Sequence, residues 1–539
     1  MKPDYWKAKG CDAREEIDLR VGLSFTTYLS WKLHQMYKTF REANTRISYG
    51  PCQFPAFWFC HQRAKEISGF TSEDYWKVVL SIQLKDRKTI DLVYKNEKLK
   101  NKSDAENILK SVQVDQNIKV VSIKSEEFTV PKPKPLNTVD MLIGASRRLY
   151  FPVTKTKVLS DRLYKLGFIS YPRTESRAYG ENFEYEKMID HYSKVENMYQ
   201  EKAKELLKNM SYVRCEGDDY GDHPPIHPVA LPGRQKSIKS KTDSQRLFNY
   251  ISLHFFASLS EDARLKRVTT TFKNGDLEFK EVHCEYVKLG FCKFLPFDEI
   301  AINEYNLSEI SFTKGNTHEI KDVKIQKWAT APPPYLSEPD LIRLMEEKGI
   351  GTDGTIPGHI RKIIIRKYVE LHYDTKEVEA PKKDIEEESK EERKDSSSQG
   401  SQNNKSTKTI KTTARFVPTM LGNALGEGFN EIDNQLFEPQ VRSFIERSCD
   451  KVANYEMVYD TVLEKVIDIF RKKLILFIAD FSKLEKRLKS LKSDSDKIDQ
   501  ESKTFTSLHK KRVAPTSDYL MEEESSFEQS TFEQSSSQF

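Results

Sequence analysis

Hydrophobic positions recur at helical spacing over the first part of the chain. Residues 13–45 alternate apolar and basic positions, which predicts a long helix before the break at Gly50. The apolar positions of this pattern are Leu19, Leu23, Tyr28, Trp31, Leu33 and Met36. The sequence therefore predicts a helical entry domain.

The hydrophobic period shortens between Tyr75 and Val130. Segments 76–84 and 118–124 are rich in β-branched and aromatic residues, which is typical of strands. Between them, Ser103 and Glu106 have the spacing of a capping box, which predicts a short helix. A strand-rich unit with one helix is expected here.

The remaining pattern predicts a second helical unit inserted between strands. The proline-rich segment 131–135 is a stiff connector, and helices are expected over 139–148 and 155–166. Residues 268–325 again alternate as short strands, and a helical pattern resumes at Pro334. The chain thus leaves a mixed unit, forms a helical one and returns.

The segment after Pro334 predicts a helix, a turn of small residues and a basic helix. Ser337 and Asp340 give a capping signal, and Gly349 ends the first helix. Its apolar stripe is Leu341, Leu344 and Met345. The second helix has Ile360, Ile363 and Ile364 inside and Arg361, Lys362, Arg366 and Lys367 outside. By composition this segment is either a plain helical hairpin or a DNA-binding unit.

Composition bounds the class of protein. The 539 residues are enough for three or four domains, and charged residues make up 31% against 37% hydrophobic. No run of about eighteen apolar residues exists, which argues against a transmembrane protein. The N-terminus has the pattern of neither a secretory signal nor a transit peptide, so a soluble intracellular protein is expected.

Cysteine usage and net charge add little chemistry. The seven cysteines are scattered without a CxxC pair, which indicates a reducing compartment and argues against a zinc finger. They are Cys11, Cys52, Cys60, Cys215, Cys284, Cys292 and Cys449. A net charge of +5 does not by itself indicate a nucleic-acid partner.

The chemistry is concentrated at GFISYPRTES, residues 167–176. Tyr171 follows an apolar run and precedes a proline, and Arg173 follows two residues on. A phenolic oxygen can displace a sugar oxygen from a phosphodiester when a cation holds the phosphate. With 24 tyrosines in the chain, a Tyr-Pro pair can equally be an aromatic anchor in a rigid turn.

Longer strings change this balance, because several segments resemble the type IA DNA topoisomerases in their topoisomerase III branch. They are LGFISYPRTES at 166–176, DAREEIDLRVGLSFT at 12–26, SYGPCQFPAFWF at 48–59, GDHPPIHP at 221–228, PPPYLSEPDLIRLMEEKGIGTDGT at 332–355 and FVPTMLGNALGEGF at 416–429. Together they cover most of residues 12–480, so the resemblance extends along the whole chain.

The resemblance implies a multidomain α+β fold, a toroidal core in which helical lobes and a β-rich arch surround a hole for DNA. We expect the helical DNA-binding lobe at 1–68, 329–373 and 414–488, the arch at 69–136 and 236–328, the tyrosine-bearing helical domain at 137–235, a disordered insertion at 374–413 and a disordered tail at 489–539. Phe54, Phe57, Trp58 and Phe59 are expected in the core.

The resemblance also implies roles for individual residues. Tyr171 would be the nucleophile, keeping the 5′ phosphate of the cut strand, and Arg173 would hold phosphate oxygens with its planar fork. His223 matches the active-site histidine of the family, whereas His227 is assigned nothing. DNA contacts are implied for Ser48, Gly50, Gln53, Glu175, Thr352, Asp353 and Thr355.

The same resemblance implies a metal-binding half that this sequence lacks. Family members begin with a Toprim domain of roughly 150 residues, which carries the acids that bind Mg²⁺, and this chain starts where that domain is expected to end. The Asp-x-Asp pair formed by Asp494 and Asp496 lies in the predicted tail. No metal ligand is therefore predicted within this chain.

The predicted function is an ATP-independent isomerase that relaxes negative supercoils or unlinks DNA during recombination, replication and repair. Implied partners are single-stranded DNA, a RecQ-type helicase and an OB-fold accessory protein, with nuclear localisation. The alternative is a non-catalytic single-strand-binding remnant that needs a partner chain for metal-dependent chemistry. A tyrosine recombinase is disfavoured, because it needs a dispersed set of arginines and histidines.

Overall fold

The computed structural model describes residues 4–36, 47–84, 89–112, 117–194, 199–208, 217–221, 223–229, 242–308, 310–352, 354–378 and 409–489. Its helices are α1 (Tyr5–Met36), α2 (Gln53–Ser68), α3 (Lys102–Ser111), α4 (Thr138–Leu149), α5 (Val153–Lys165), α6 (Tyr185–Lys194), α7 (Gln200–Lys208), α8 (Asp243–Ser258), α9 (Glu299–Tyr305), α10 (Glu338–Glu347), α11 (Ile356–Ile365), α12 (Met420–Asp433), α13 (Gln440–Ala453) and α14 (Tyr459–Ala479). Its strands are β1 (Asp74–Gln83), β2 (Thr89–Tyr94), β3 (Ile118–Val130), β4 (Ala263–Asn274), β5 (Leu277–Lys288), β6 (Thr317–His318), β7 (Ile320–Ala329), β8 (Val369–Val378) and β9 (Thr409–Pro418).

Seven of the strands form one antiparallel sheet in the order β6-β3-β4-β5-β2-β1-β7. The chain enters this sheet from α2 through β1 and leaves it through β7 towards α10, and these two strands pair with each other. The helices α4 to α8 are inserted between β3 and β4, which also pair. Each helical unit is thus joined to the sheet through two neighbouring strands.

Three hydrophobic cores correspond to these parts of the molecule. One core lies beneath the sheet, with Phe272 and Phe279 fully buried. A second lies among α4 to α8, and a third joins α1, α2 and the helices from α10 onward. Val139, Leu142 and Val153 at the starts of α4 and α5 belong to this third core, so the two helical units share an apolar contact.

Several sequence-based expectations are confirmed. The helices expected over 139–148 and 155–166 are α4 and α5, each within two residues. Ser337 and Asp340 form the reciprocal capping box at the start of α10, and Gly349 follows that helix with a φ of 64°. The aromatic side chains of residues 54, 57 and 59 are buried, as expected of core residues.

The helical pattern expected over 13–45 corresponds to α1, which runs from Tyr5 to Met36, and residues 37–46 lie outside the described residues. Three of the apolar residues of that pattern, Leu19, Leu23 and Trp31, are exposed. The buried positions are Ala13, Ile17, Val21, Phe25, Leu29 and Leu33, where α1 packs on α13 and α14. Apolar residues occur on both faces of this helix, so the period predicts the helix but not its inner face.

The predicted capping box of the short helix was also wrong. The helix α3 begins at Lys102 with Asn101 as its N-cap, and Glu106 pairs with Lys102 rather than capping Ser103. The strand-rich stretch 268–325 contains the unpredicted helix α9, which Asp298 caps through the Ala301 N–H group.

The predicted disordered insertion at 374–413 was drawn too wide. Its first and last residues belong to β8 and β9, which pair with each other from Val369 opposite Pro418 to Val378 opposite Thr409. Charge and serine content hid the β-branched residues of these strand ends. Residues 379–408, and the tail from 490, lie outside the described residues.

No helix among the described residues is long and apolar enough to span a membrane.

Candidate active site around Tyr171

A tight turn after α5 directs the chain into the Tyr171 segment. Gly167 has a φ of 76°, which a glycine adopts without strain, and its N–H group donates to the carbonyl of Tyr164. Phe168 and Ile169 then enter the core of the tyrosine-bearing unit. The turn at Gly167 and these two buried residues therefore fix the position from which Ser170 and Tyr171 continue.

Backbone pairing brings a second segment alongside it. Ser170 donates its N–H group to the carbonyl of His227 at 3.0 Å, and Val229 donates to the carbonyl of Phe168 at 2.8 Å. Burial lowers the pKa of His227, whose ring nitrogen lies 2.7 Å from the Pro225 carbonyl. His227 is thus a buried residue of the segment that pairs with the Tyr171 segment.

The same pairing places His223 beside Tyr171. The two ring centroids are 4.6 Å apart, with an angle of 58° between the planes. The Tyr171 ring also contacts the Tyr164 ring edge-on, with 5.2 Å between the ring centroids. Tyr171 is half-buried and His223 is exposed. The hydroxyl of Tyr171 forms no hydrogen bond with the described residues.

The start of α4 holds the turn that follows Tyr171. The Thr174 N–H group donates to the hydroxyl of Thr138 at 2.9 Å, and that hydroxyl lies 2.8 Å from the Pro172 carbonyl. The hydroxyl of Thr174 donates to the carbonyl of His223 at 2.8 Å. These buried bonds tie the Tyr171 segment, the His223 segment and α4 together.

Arg173 projects from this turn towards α5 and α11. Its guanidinium lies 3.5 Å from a carboxylate oxygen of Asp161, and both side chains are about a third or more exposed, so the pair is weak. A methyl group added to Gly354 would lie 3.8 Å from the Arg173 side chain. The cavity at this contact measures about 10 Å³, too small for a phosphodiester.

The predicted groove residues fall into two places. Thr352 and Thr355 lie at the start of α11, where the Thr352 N–H group donates to the Thr355 hydroxyl at 2.7 Å. Asp353 lies outside the described residues. Thr355 neighbours Gly354 and therefore lies near Arg173. Glu175 is exposed beside the Tyr171 turn.

Ser48, Gly50 and Gln53 lie together at the start of α2. The Ser48 hydroxyl is 3.1 Å from the Gln53 side-chain oxygen, and neither side chain forms a hydrogen bond with Tyr171 or Arg173. Gln53 is only 5% exposed, and its Nε2 atom has no partner among the described residues. The buried amide therefore retains two unused donors.

Two polar contacts cross from the tyrosine-bearing unit to α10. Arg177 donates to Asp140 at 2.7 Å and to Glu346 of α10 at 2.6 Å. Burial lowers the pKa of Arg177, but the hydrogen bonds to these two carboxylates raise it overall above its usual value. Arg177 therefore stays charged while it bridges the two helical units.

The second crossing contact involves Glu338. Its carboxylate accepts the Val153 N–H group, at the start of α5, at 3.1 Å. Burial raises the pKa of Glu338 to about 7, despite the opposing effect of this hydrogen bond, and Glu338 in turn raises the pKa of nearby Tyr373, which burial raises first. The contact between the two units thus contains a carboxyl that titrates near neutrality.

Glu338→Gln should make the stability of the protein less dependent on pH. Since the folded pKa lies above the ordinary 4.5, the stabilisation is complete below that value and is lost as the pH rises through about 7. We expect the variant to exceed the parent by about 1–2 kcal/mol near pH 8, allowing for partial exposure, and to match it near pH 5. Urea unfolding measures this, and parallel profiles for the two proteins would contradict it.

Sequence reasoning missed Thr138, Arg177 and Glu338. The string NTVD at 137–140 has the pattern of a helix start, since Asn137 caps α4 through the Asp140 N–H group, and it could have indicated a structured turn. No local signal marks Arg177 or Glu338. Their partners lie 169 and 185 residues away in sequence.

Comparisons with known proteins show the family to which this chain belongs. A family model described as DNA topoisomerase matches residues 3–383. The chain is 32% identical over 483 residues to DNA topoisomerase 3-beta of Oryza sativa subsp. japonica, which covers 90% of this chain and 50% of that relative. DNA topoisomerase 3 of Schizosaccharomyces pombe is 27% identical over 468 residues, covering 86% of this chain and 68% of its own length.

A solved structure supports the fold. Full-length topoisomerase I from Thermotoga maritima superposes with a TM-score of 0.61 at 19% identity, covering 87% of this chain and 68% of that chain. At this identity the similarity concerns the fold alone. The chain spans about half the length of most of the curated relatives it matches.

Proposed function

The chain belongs to the DNA topoisomerase family, in its type IA topoisomerase III branch, and we propose that it cuts and reseals one DNA strand through Tyr171. The observation that carries this proposal is the contact between the rings of Tyr171 and His223 on two paired segments, with Arg173 two residues after Tyr171. The Tyr171 hydroxyl has no competing hydrogen-bond partner among the described residues.

The proposed chemistry is an ester exchange. The Tyr171 oxygen bonds to phosphorus and loses its proton, while the bond from phosphorus to the 3′ oxygen breaks and that oxygen takes up a proton. One phosphodiester replaces another of similar energy, so no ATP is consumed. Arg173 would exchange its weak contact with Asp161 for hydrogen bonds to two phosphate oxygens. His223 would donate a further hydrogen bond to an oxygen of the same phosphate.

Single-stranded DNA would bind across the two places where groove residues lie. At the start of α11, the hydroxyls of Thr352 and Thr355, which lie 3.2 Å apart, would contact phosphates. A second contact is proposed at α2, where the unused Nε2 donors of Gln53 are buried and would reach DNA only if this part of the surface opened. The 10 Å³ cavity between Arg173 and Gly354 implies that the two helical units part when a phosphodiester enters there.

Mg²⁺ belongs to the proposal through family resemblance, but the described residues do not form a site for it. Among them, no group of three histidine, cysteine, aspartate or glutamate side chains lies close enough to hold a metal ion. No step of the chemistry above is therefore assigned to a metal.

The proposal extends to the biological setting. Relaxation of negative supercoils or unlinking of DNA during recombination, replication and repair would follow from passing a strand through the break. A RecQ-type helicase and an OB-fold accessory protein are proposed partners, and a nuclear location is proposed in keeping with the eukaryotic relatives.

Covalent trapping on single-stranded DNA tests the proposal. The full chain is incubated with Mg²⁺ and a strand labelled at its 3′ end, and the reaction is stopped with detergent. Transfer of the label to the protein is expected, because the tyrosine would keep the 5′ phosphate of the labelled fragment. Peptide mapping should locate the adduct on Tyr171.

A strand labelled at its 5′ end is the matched control and should transfer nothing. Transfer of the 5′ label, or an adduct on another residue, would contradict the proposed linkage. Salt-sensitive binding with no adduct at all would favour the non-catalytic single-strand-binding alternative.

A further inference from the structure

The helix α5 presents two neighbouring side chains to the Tyr171 turn. Asp161 and Tyr164 are three residues apart and therefore lie on one face of the helix. Asp161 contacts Arg173 at 3.5 Å, and Tyr164 meets the ring of Tyr171 at 5.2 Å with an angle of 70° between the planes. One helix face thus contacts both the proposed nucleophile and its cation.

The contact of Tyr164 has the geometry of a specific aromatic pair. Edge-to-face rings at this separation attract each other beyond simple burial. Together with His223 at 4.6 Å, Tyr164 restricts the rotamers open to the Tyr171 ring, and so limits where its hydroxyl can point.

Packing of the core does not explain Tyr164. Its side chain is 43% exposed, and it belongs to none of the three cores. The α5 residues Val153 and Leu163 do the packing, because both are fully buried. The aromatic ring that the Tyr164 ring contacts is that of Tyr171.

We propose that Tyr164 is a positioning residue, which holds the ring of Tyr171 so that its oxygen points towards the phosphate. This inference rests on the proposed function, since it concerns the same reaction. The interaction uses the ring and not the hydroxyl of Tyr164. Loss of the ring should slow attack by about three- to ten-fold, the rate equivalent of one aromatic pair.

Three variants of the full chain test this inference. Tyr164→Leu removes the ring and Tyr164→Phe keeps it. Val158→Ala is the control, because Val158 is half exposed and, six residues before Tyr164 on α5, lies about 120° around the helix from it. One readout is the rate of adduct formation at saturating single-stranded DNA. The other is the nuclear magnetic resonance signal of ring-labelled Tyr171, assigned by its loss in Tyr171→Phe.

Tyr164→Leu should shift the Tyr171 signal and slow the adduct three- to ten-fold, with unchanged affinity for the strand and unchanged melting temperature. Tyr164→Phe should restore both signal and rate, and Val158→Ala should match the parent. If Tyr164 had a purely structural role, Tyr164→Leu would instead lower the melting temperature, and the rate would not depend on whether residue 164 carries an aromatic ring.

Failure of this inference is distinct from failure of the proposed function. If the parent forms the Tyr171 adduct while Tyr164→Leu changes neither rate nor signal, the positioning role is wrong and the function stands. An adduct on Tyr164 itself in the Tyr171→Phe variant would also overturn it. A parent chain that forms no adduct overturns both.

Discussion

Replacing Tyr171 by phenylalanine is expected to abolish the covalent DNA adduct while leaving the fold and the single-strand affinity intact. Phenylalanine keeps the ring that contacts His223 and Tyr164, and loses only the oxygen, which bonds to no described residue. The change removes the nucleophile without leaving a buried group unpaired, so the free energy of unfolding should change by less than about 0.5 kcal/mol.

The measurements are trapping on a 3′-labelled strand, strand affinity as a function of salt, and urea unfolding. Tyr220→Phe is a matched control, because Tyr220 is exposed on the segment that adjoins Ser176. It should retain the adduct. A Tyr171→Phe protein that still becomes covalently attached to DNA would remove Tyr171 from the mechanism.

Replacing Arg442 by methionine should cost about 3–5 kcal/mol of stability. Arg442 is 4% exposed and joins α13 to α1 through two 2.8 Å hydrogen bonds to Asp18, and it also pairs with Glu446. Methionine fills a similar volume but leaves two carboxylates uncompensated. The helical lobe that carries the groove residues should therefore unfold at lower urea concentration.

Arg487→Met provides the comparison. Arg487 also pairs with two carboxylates, of Glu427 and Glu431, but its side chain is 44% exposed. We expect a loss below about 1 kcal/mol there, because solvent screens such pairs. Equal losses at the two arginines would show that burial does not set the strength of the Arg442 network.

Local signals predicted much of the helical framework around the site. The extents of α4 and α5 followed from hydrophobic period, and the start of α10 followed from the Ser337 and Asp340 capping box. Such signals act within one turn of helix, so a single sequence carries them. The roles of Tyr171, Arg173 and His223 remain predictions, although the structure places His223 against the Tyr171 ring.

Contacts between distant segments were not predictable from the sequence. The proximity of His223 to Tyr171 depends on backbone bonds such as that between Ser170 and His227, which have no side-chain signature. The raised pKa of Glu338 depends on α5 covering it, and nothing in the residues around position 338 encodes that cover. Burial by a remote element is a property of the assembled fold.

The order of the strands has a mechanical consequence. The pair β1 and β7 joins one helical unit to the sheet, the pair β3 and β4 joins the other, and only β5 and β2 lie between the two pairs. Any separation of the helical units between α4, α5, α10 and α11 would therefore have to be accommodated by bending of these two strands.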